Sequence, residues 1–310
     1  MPQGLIVKAL SGYYYIEASG ELIQCRARGI FKKRGVSPLV GDYVEYTLTE
    51  NGEGMVDEIS PRSSELIRPP ISNVEQAILV FSVQEPELNL QLLDKFLVHI
   101  EHAGLDVVIC FTKEDLLDES SIEKDAEVSL SFNGEQELTK IEDAEALYKQ
   151  IGYTVIRTSS VTGLGTEELM AQLTGKISVF AGQSGVGKSS MLNALLPGLA
   201  LETNQISMRL GRGKHTTRHV ELIPLPAGGF VADTPGFSQL DFLELGVEAL
   251  GDCFREFRDY AAGCKFRGCT HLHEPGCKVL AAKEAGEISA SRYAHYELFY
   301  NEMKEKKRRY

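Results

Sequence analysis

The chain has 310 residues, of which 43% are hydrophobic and 25% are charged, and its formal net charge is −12. That length allows two or three domains with separate cores, and the composition is ordinary for a globular protein. No apolar run approaches the roughly 18 residues that a membrane-spanning helix needs, and the N-terminus lacks a basic region followed by an apolar segment. We therefore expect a cytoplasmic protein with no membrane partner, whose six cysteines are metal ligands or buried thiols.

The first 67 residues alternate apolar and polar side chains in short runs that are separated by glycines. We predict strands at Gly4–Ala9, Tyr13–Ala18, Leu22–Ala27, Asp42–Leu48 and Met55–Ile59. Short strands at this spacing are typical of a small β-barrel, of which the OB-fold is the common nucleic-acid-binding example. Between the third and fourth strands, basic residues surround Phe31: Arg26, Arg28, Lys32, Lys33 and Arg34. Such a loop can hold an RNA backbone and stack a base on its aromatic ring, or it is simply solvated.

Pro61 and the pair Pro69-Pro70 indicate a linker, after which strands and helices alternate. We predict strands at Ala77–Val83, Asp106–Phe111, Tyr153–Arg157, Ile177–Ala181 and Gly229–Ala232, and helices at Leu90–His102 and Asp143–Ile151. This alternation predicts a mostly parallel, doubly wound sheet. A polar stretch near residues 118–140 is interpreted as a surface insertion.

Residues 182–189 match the phosphate-binding loop pattern G-x-x-x-x-G-K-[ST], with a predicted strand before them and a predicted helix after them. Glycines let the backbone N–H groups point at a polyphosphate, the lysine faces the β- and γ-phosphates, and the serine hydroxyl is a Mg²⁺ ligand. The predicted phosphate-binding residues are Gly182, Gln183, Ser184, Gly185, Val186, Gly187, Lys188, Ser189 and Ser190.

Two loops that precede the phosphate-binding loop favour guanine over adenine. Thr112, Lys113 and Asp115 resemble the guanine-reading pattern N-K-x-D, and Ser159 with Ser160 resembles the loop that contacts guanine O6. A carboxylate accepts from guanine N1–H and N2–H₂, which are donors that adenine lacks on that edge. Thr112 replaces the usual asparagine, which puts some of the affinity for a guanine nucleotide in question. The selectivity for guanine should remain, because it depends on Asp115. An ATP-using P-loop protein is the enzymatic alternative.

The pattern D-x-x-G follows at Asp233 and Gly236, where nucleotidases place a carboxylate near Mg²⁺ and an N–H near the γ-phosphate. The basic segment 209–219 is interpreted as the first switch, with Thr217 favoured over Thr216 as a Mg²⁺ ligand. Phe237 stands where Ras-like enzymes have a water-orienting glutamine. His215 is therefore the predicted catalytic residue, although a partner can also supply this function, and we expect slow intrinsic turnover.

Near the C-terminus, three cysteines and a histidine form a closed set suited to one structural Zn²⁺: Cys264, Cys269, His271 and Cys277. His273 is the alternative imidazole. The surrounding sequence is mainly helical, and the chain ends in a basic run of Lys304, Lys306, Lys307, Arg308 and Arg309. We thus predict an OB-like RNA- or ribosome-binding barrel over residues 1–67, an α/β P-loop domain over 68–240 and a zinc-knuckle domain over 241–310.

The guanine-reading pair precedes the phosphate-binding set, which is the order of a circularly permuted G domain. With the barrel and the Cys₃His set, this order resembles the RsgA family, also called YjeQ or YloQ. The resemblance implies GTP hydrolysis stimulated by the small ribosomal subunit, a checkpoint role in late subunit maturation, contact with 16S rRNA, and participation of His215 in hydrolysis. A ribosome-binding protein of this size is most simply a monomer. The non-enzymatic alternative is an rRNA-binding scaffold in which hydrolysis is not essential.

Overall fold

The computed structural model describes residues 1–50, 52–67, 70–117, 141–196, 220–233 and 245–309. The side chains of Asp233 and of residues 307–309 lie outside this description. The chain divides into two compact units: residues 1–78, 166–181 and 188–238 form the first, and residues 79–165, 182–187 and 239–310 form the second. The predicted domain boundaries at residues 67 and 240 stay predictions.

The first unit contains the predicted five-stranded barrel. Its strands are β1 (Gln3–Leu10), β2 (Tyr13–Ala18), β3 (Glu21–Ala27), β4 (Tyr43–Leu48) and β5 (Gly54–Ile59). They follow the order β1-β2-β3-β5-β4, and pairing of β1 with β4 closes the barrel. Inward residues such as Ile6, Ile16 and Val56 are fully buried. The alternating pattern therefore predicts these strands to within one residue at either end.

The basic segment between β3 and β4 differs from the prediction at its aromatic residue. A short helix, α1 (Gly29–Lys33), begins there, and its Phe31 side chain is only 6% exposed. Of the two alternatives for this segment, the one in which Phe31 stacks a base is contradicted by this burial. The basic side chains of the segment are exposed, namely Arg26, Arg28, Lys32, Lys33 and Arg34.

The predicted linker is wrong as well, because residues of this segment pack against the barrel. Strands β6 (Glu65–Ile67) and β7 (Pro70–Ser72) pair with each other. The buried Asp42 carboxylate accepts hydrogen bonds from Arg62 Nε at 2.7 Å, from Arg62 NH2 at 2.8 Å and from Ser72 Oγ at 2.6 Å. Proline is tolerated here because β7 is a short edge strand.

The remaining strands of the first unit are β11 (Ile177–Ala181), β12 (Glu221–Pro224) and β13 (Phe230–Asp233), in the order β11-β13-β12-β1. β11 and β13 are parallel, whereas β12 is antiparallel to both β13 and β1. Lys8 of β1 pairs with Glu221 of β12 at 2.9 Å. Helices α4 (Thr166–Leu173) and α5 (Lys188–Leu195) belong to the same unit.

The second unit holds parallel strands and the C-terminal helices. β8 (Gln76–Ser82) starts in the first unit and continues here, followed by α2 (Leu90–His102), β9 (Asp106–Thr112), α3 (Ile141–Ile151) and β10 (Thr154–Arg157), in the strand order β10-β9-β8. Every residue of β8 is buried, as expected for a strand covered on both faces. No helix among the described residues is long and apolar enough to cross a membrane.

Helices α6 (Arg255–Ala261), α7 (Lys278–Glu284) and α8 (Ala290–Arg309) enclose an aromatic core. Phe254, Phe257, Tyr296 and Phe299 are at most 1% exposed, and Val98 of α2 packs into the same cluster. The mainly helical character predicted for this region is confirmed, and a 3₁₀ turn at Gly251–Cys253 precedes α6.

A buried ionic cluster joins α2 and α3 to α8 within this unit. Asp94 Oδ1 accepts from Arg292 at 2.5 Å and from Tyr148 at 2.6 Å, and Asp94 Oδ2 lies 2.5 Å from His295 Nδ1. Arg292 also bonds the Glu256 carboxylate at 2.7 Å. Burial raises the pKa of Asp94, but the Arg292 guanidinium and the His295 hydrogen bond lower it below its ordinary value. The cluster is therefore a fully partnered set of charges in a dry interior.

Candidate functional site

The loop between β11 and α5 has a backbone that only glycine can form. Gly182 has φ +135°, and a Cβ there would lie 2.1 Å from the Val80 carbonyl oxygen. Gly185 (φ +84°) and Gly187 (φ +95°) also occupy the region that L side chains rarely adopt. These positions let the loop curl so that successive N–H groups point inward, which is the geometry of an anion-binding nest.

Thr112, the last residue of β9, ties the predicted guanine-reading loop to the phosphate-binding loop. Its hydroxyl is buried and donates to the Val186 carbonyl oxygen at 2.5 Å, with the Phe81 carbonyl oxygen 3.3 Å away. Thr112 therefore makes a loop-to-loop contact at the position where the N-K-x-D pattern has its asparagine. Because this contact engages the threonine hydroxyl, we predict that recognition of a base depends on the neighbouring residues.

Asp115 is exposed and is oriented by a buried serine. Ser159 Oγ donates to Asp115 Oδ1 at 2.5 Å, while it accepts from the N–H groups of Val161 and Thr162, both at 3.1 Å. Ser159 is 1% exposed, and the adjacent Ser160 is exposed. The two predicted guanine loops therefore meet through this hydrogen bond and through the Glu114 N–H, which donates to the Thr158 carbonyl oxygen at 3.3 Å, and the Asp115 side chain stays exposed.

Lys113 and Glu114 are also held in place by partners. Lys113 has φ +61°, and its Nζ donates to the Glu85 carbonyl oxygen. Arg157 Nε donates to Glu114 at 2.9 Å. The sequence contained no indication of the Glu85 contact, because a backbone acceptor has no residue-type signature.

Lys188 begins α5 and is largely buried, and desolvation lowers the pKa of its ammonium to about 8. Burial has this effect because it disfavours the charged form. A polyphosphate beside the ammonium would favour the charged form and raise the pKa again. The position therefore suits an anionic ligand.

Nucleotide affinity is accordingly expected to depend on pH above the pKa of Lys188. Below about pH 8 the ammonium is already charged, so affinity stays flat. At higher pH binding must take up a proton, and affinity falls towards about tenfold per pH unit. We expect a dissociation constant for a fluorescent guanine nucleotide about tenfold larger at pH 9 than at pH 7. Lys188→Met is the control, which should bind the nucleotide weakly and without this dependence on pH. A wild-type affinity that does not change between pH 7 and pH 9 would contradict the assignment of Lys188 to the phosphates.

The cluster of Cys264, Cys269, His271 and Cys277 brings all its ligand atoms within 4.8 Å of one another. The Sγ atoms of Cys264 and Cys277 are 3.9 Å apart, and His271 Nδ1 lies 3.7 Å and 3.4 Å from them. A tetrahedral Zn²⁺ with Zn–S bonds of about 2.3 Å would place sulfur atoms roughly 3.8 Å apart, so these groups fit the ion. His273, the alternative imidazole, is exposed and is not part of the cluster.

Neighbouring groups hold this cluster in shape. The N–H groups of Lys278 and Leu280 donate to the sulfur atoms of Cys264 and Cys277, at 3.3 Å and 3.4 Å. Tyr293 of α8 donates to the His271 carbonyl oxygen at 2.7 Å. Backbone donors to sulfur stabilise thiolates and are the usual outer partners of a metal site. The other cysteines, Cys25, Cys110 and Cys253, are buried as predicted.

Removal of a cluster ligand is expected to unfold the C-terminal helices. Cys277→Ser should abolish bound zinc and lower the melting temperature of the tyrosine-rich core by roughly 10 °C or more, because structural zinc binding contributes several kcal/mol to folding. The measurements are metal content, with one zinc per chain expected for the wild type, and near-ultraviolet circular dichroism. Cys253→Ser is the matched control, since Cys253 is buried outside the cluster. A zinc-free wild type with unchanged melting would contradict the expectation.

Several predicted site residues fall outside the described part of the chain. They are His215, Thr216, Thr217, Gly236 and Phe237. Asp233 ends β13, so its backbone is placed at the carboxyl end of a strand as predicted, but its side chain is not described. Ser189 and Ser190 lie in the first turn of α5 and are half-buried.

Family models of known proteins match most of the chain. The family profile described as RsgA GTPase matches residues 59–243, and the one described as RsgA N-terminal domain matches residues 3–56. The chain belongs to the RsgA GTPase family.

RsgA relatives match along the whole chain. The protein named "Small ribosomal subunit biogenesis GTPase RsgA" of Geobacillus thermodenitrificans is 53% identical over 310 residues, and that of Shouchella clausii is 51% identical, with each chain covered completely. The solved structure of YloQ, described as a circularly permuted GTPase, is 44% identical with a TM-score of 0.81, covering 99% of this chain and 96% of that one. YjeQ from Thermotoga maritima is 38% identical with a TM-score of 0.82, covering 97% and 98%. The chain is therefore a GTP-hydrolysing enzyme with a circularly permuted GTPase fold, as the motif order predicts.

Proposed function

We propose that this chain binds the small ribosomal subunit in the cytoplasm and hydrolyses GTP to GDP and phosphate there, as a checkpoint in late subunit maturation. Two hydrogen bonds are the main support for a GTP site. The bond from Thr112 to Val186 joins one proposed base-reading loop to the phosphate-binding loop, and the bond from Ser159 to Asp115 joins the two base-reading loops. The proposal that the small ribosomal subunit is the partner is supported by relatives that match along the whole chain and are named small ribosomal subunit biogenesis GTPases.

At this site the N–H groups of residues 182–187 bind the phosphates, and Lys188 neutralises the β- and γ-oxygens. Asp115 accepts from the guanine base, Lys113 lies along it, and an N–H of the Ser159–Ser160 loop meets O6. Ser189 and Thr217 would hold Mg²⁺, with the Asp233 carboxylate as a further group for the ion, and Gly236 would offer its N–H to the γ-phosphate. The ion would supply positive charge that offsets the negative charge developing on the phosphates.

Hydrolysis needs a group that orients the attacking water. Phe237 has no polar atom to do this, so we assign the role to His215, whose imidazole accepts from water near neutral pH. Intrinsic turnover is slow, and docking on the small subunit raises it. GTP sets the first switch in the conformation that docks on the subunit, and hydrolysis releases it, as in other switches that a γ-phosphate holds.

The contacts with 16S rRNA involve basic surfaces, although the net charge of the whole chain is negative. The exposed cations between β3 and β4 of the barrel form one of them. The C-terminal zinc knuckle, held by one Zn²⁺ in the Cys₃His cluster, provides another. We propose that the protein acts as a monomer.

Co-sedimentation with purified ribosomal subunits tests the proposed cycle. With a non-hydrolysable GTP analogue the wild type should pellet with small subunits, and with GDP it should bind at least tenfold more weakly. Large subunits are the control and should retain neither form. Equal binding with both nucleotides would contradict a nucleotide-controlled checkpoint. The scaffold alternative would instead gain support if Lys188→Ala lost turnover but kept subunit binding and normal cell growth.

A further inference from the structure

The zinc knuckle presents an aromatic ring to solvent at its tip. Phe266 lies between the cluster residues Cys264 and Cys269, and it is 45% exposed. A phenylalanine in this position contributes nothing to the aromatic core, whose members are at most 9% exposed. A single exposed apolar side chain is common on protein surfaces, so it is the charges around this ring that indicate a contact.

The ring is surrounded by positive charge. Lys265 and Arg267 flank it and are exposed, and Lys265 Nζ lies 5.5 Å from the ring centroid of Phe266. Residues 262–278 contain three cations, Lys265, Arg267 and Lys278, and one carboxylate, Glu274. Three thiolates on one divalent ion add one further negative charge, which still leaves the segment positive, in a chain whose net charge is −12.

The segment that carries these side chains is held on both sides. The Lys265 stem lies against Gly276, where an added Cβ would be 3.4 Å from Lys265 Cβ. Glu274 accepts from the Thr270 N–H at 2.7 Å and closes the turn that follows Cys269. Tyr296 OH donates to the Thr270 carbonyl oxygen at 2.5 Å, which fastens this turn to α8. The backbone on either side of the ring and its cations is therefore held in place.

We infer that the tip of the knuckle binds an unpaired RNA nucleotide, with its base stacked on Phe266 and its flanking phosphates at Lys265 and Arg267. Aromatic rings accept any base face, and neighbouring cations neutralise the backbone, which is the arrangement of single-strand binding surfaces. An apolar protein partner would suit a wider patch without cations at its edge. This inference rests on the proposed ribosomal partner and adds residues and chemistry to it.

The test uses full-length, zinc-loaded protein with a non-hydrolysable GTP analogue and purified small subunits, titrated at several salt concentrations. Phe266→Ala and Phe266→Leu should weaken binding roughly 5- to 100-fold, without a change in the salt slope, whereas Phe266→Tyr should restore it. Lys265→Gln and Arg267→Gln should each lower the slope of log affinity against log salt by about 1. Zinc content and intrinsic GTP hydrolysis should match the wild type in every variant.

The failure of this inference differs from failure of the proposed function. If the wild type binds small subunits and Phe266→Leu binds equally well, base stacking is overturned while the ribosomal partner stands. If the charge variants weaken binding but Phe266→Leu does not, the tip is an electrostatic contact only and the inference is also wrong. If the wild type does not bind small subunits, the titration is repeated with a fluorescent 8-nucleotide oligoadenylate. The inference then requires the same ranking of affinities: wild type and Phe266→Tyr tightest, Phe266→Ala and Phe266→Leu weaker.

Discussion

Asp94→Ala is expected to lower the free energy of unfolding of the second unit by about 3–5 kcal/mol, because it removes one of the two carboxylates that pair with the buried Arg292 guanidinium and also removes the acceptor for Tyr148. Arg292 is 1% exposed, so water cannot replace the lost carboxylate. A loss of this size corresponds to a fall of roughly 10 °C in the melting temperature. Near-ultraviolet circular dichroism of the tyrosines measures it, since the chain has no tryptophan.

Two controls separate this effect from general damage. Lys95→Ala removes the nearby but partly exposed pair with Glu302, at 3.2 Å, and should cost about 1 kcal/mol or less. In a double-mutant cycle, Asp94→Ala with Arg292→Ala should cost less than the sum of the single changes, because removal of both partners leaves fewer unpaired charges. Additive losses, or a loss from Asp94→Ala no larger than from Lys95→Ala, would contradict the role of the cluster.

Asp115→Asn is expected to weaken GTP binding by roughly 100-fold or more, since it replaces two charge-assisted hydrogen bonds of about 1.5–3 kcal/mol each. The same change should strengthen binding of xanthosine triphosphate. Xanthine has a carbonyl where guanine has its 2-amino group, and an asparagine N–H can donate to that carbonyl. Competition against a fluorescent guanine nucleotide measures GTP, XTP and ATP together.

Ser159→Ala is the matched companion of that change. It retains the carboxylate but removes its 2.5 Å hydrogen bond, so GTP should weaken by only about tenfold and XTP should gain nothing. If ATP competes with GTP equally for the wild type, Asp115 does not read guanine and the adenine alternative is correct.

The sequence predicts the barrel strands and the glycine loop well, because each is a pattern within one continuous segment. Apolar residues alternate with polar ones along β1–β5, and the glycine loop matches G-x-x-x-x-G-K-[ST], whereas the close approach of Gly182 to the distant Val80 appears only in the structure. The Cys₃His cluster was predictable for the same reason. Its ligands lie on one short segment, and few residue types serve as zinc ligands.

Contacts between distant segments were not predictable. Asp94 and Arg292 are 198 positions apart, and a lone aspartate on an apolar helix gives no indication of its partner. Phe31 was misassigned because a five-residue helix turns it inward, although its neighbours in sequence are exposed cations. The Thr112 hydrogen bond to Val186 likewise joins residues 74 positions apart. Such features require the tertiary structure.

The most direct test of the account is steady-state GTP hydrolysis with and without purified small ribosomal subunits, with large subunits as the control. We predict slow turnover of the protein alone and a stimulation of at least roughly tenfold by small subunits only, because Phe237 cannot orient the attacking water. Measurable intrinsic hydrolysis that small subunits leave unchanged would retain the GTPase and contradict its assignment to the small subunit.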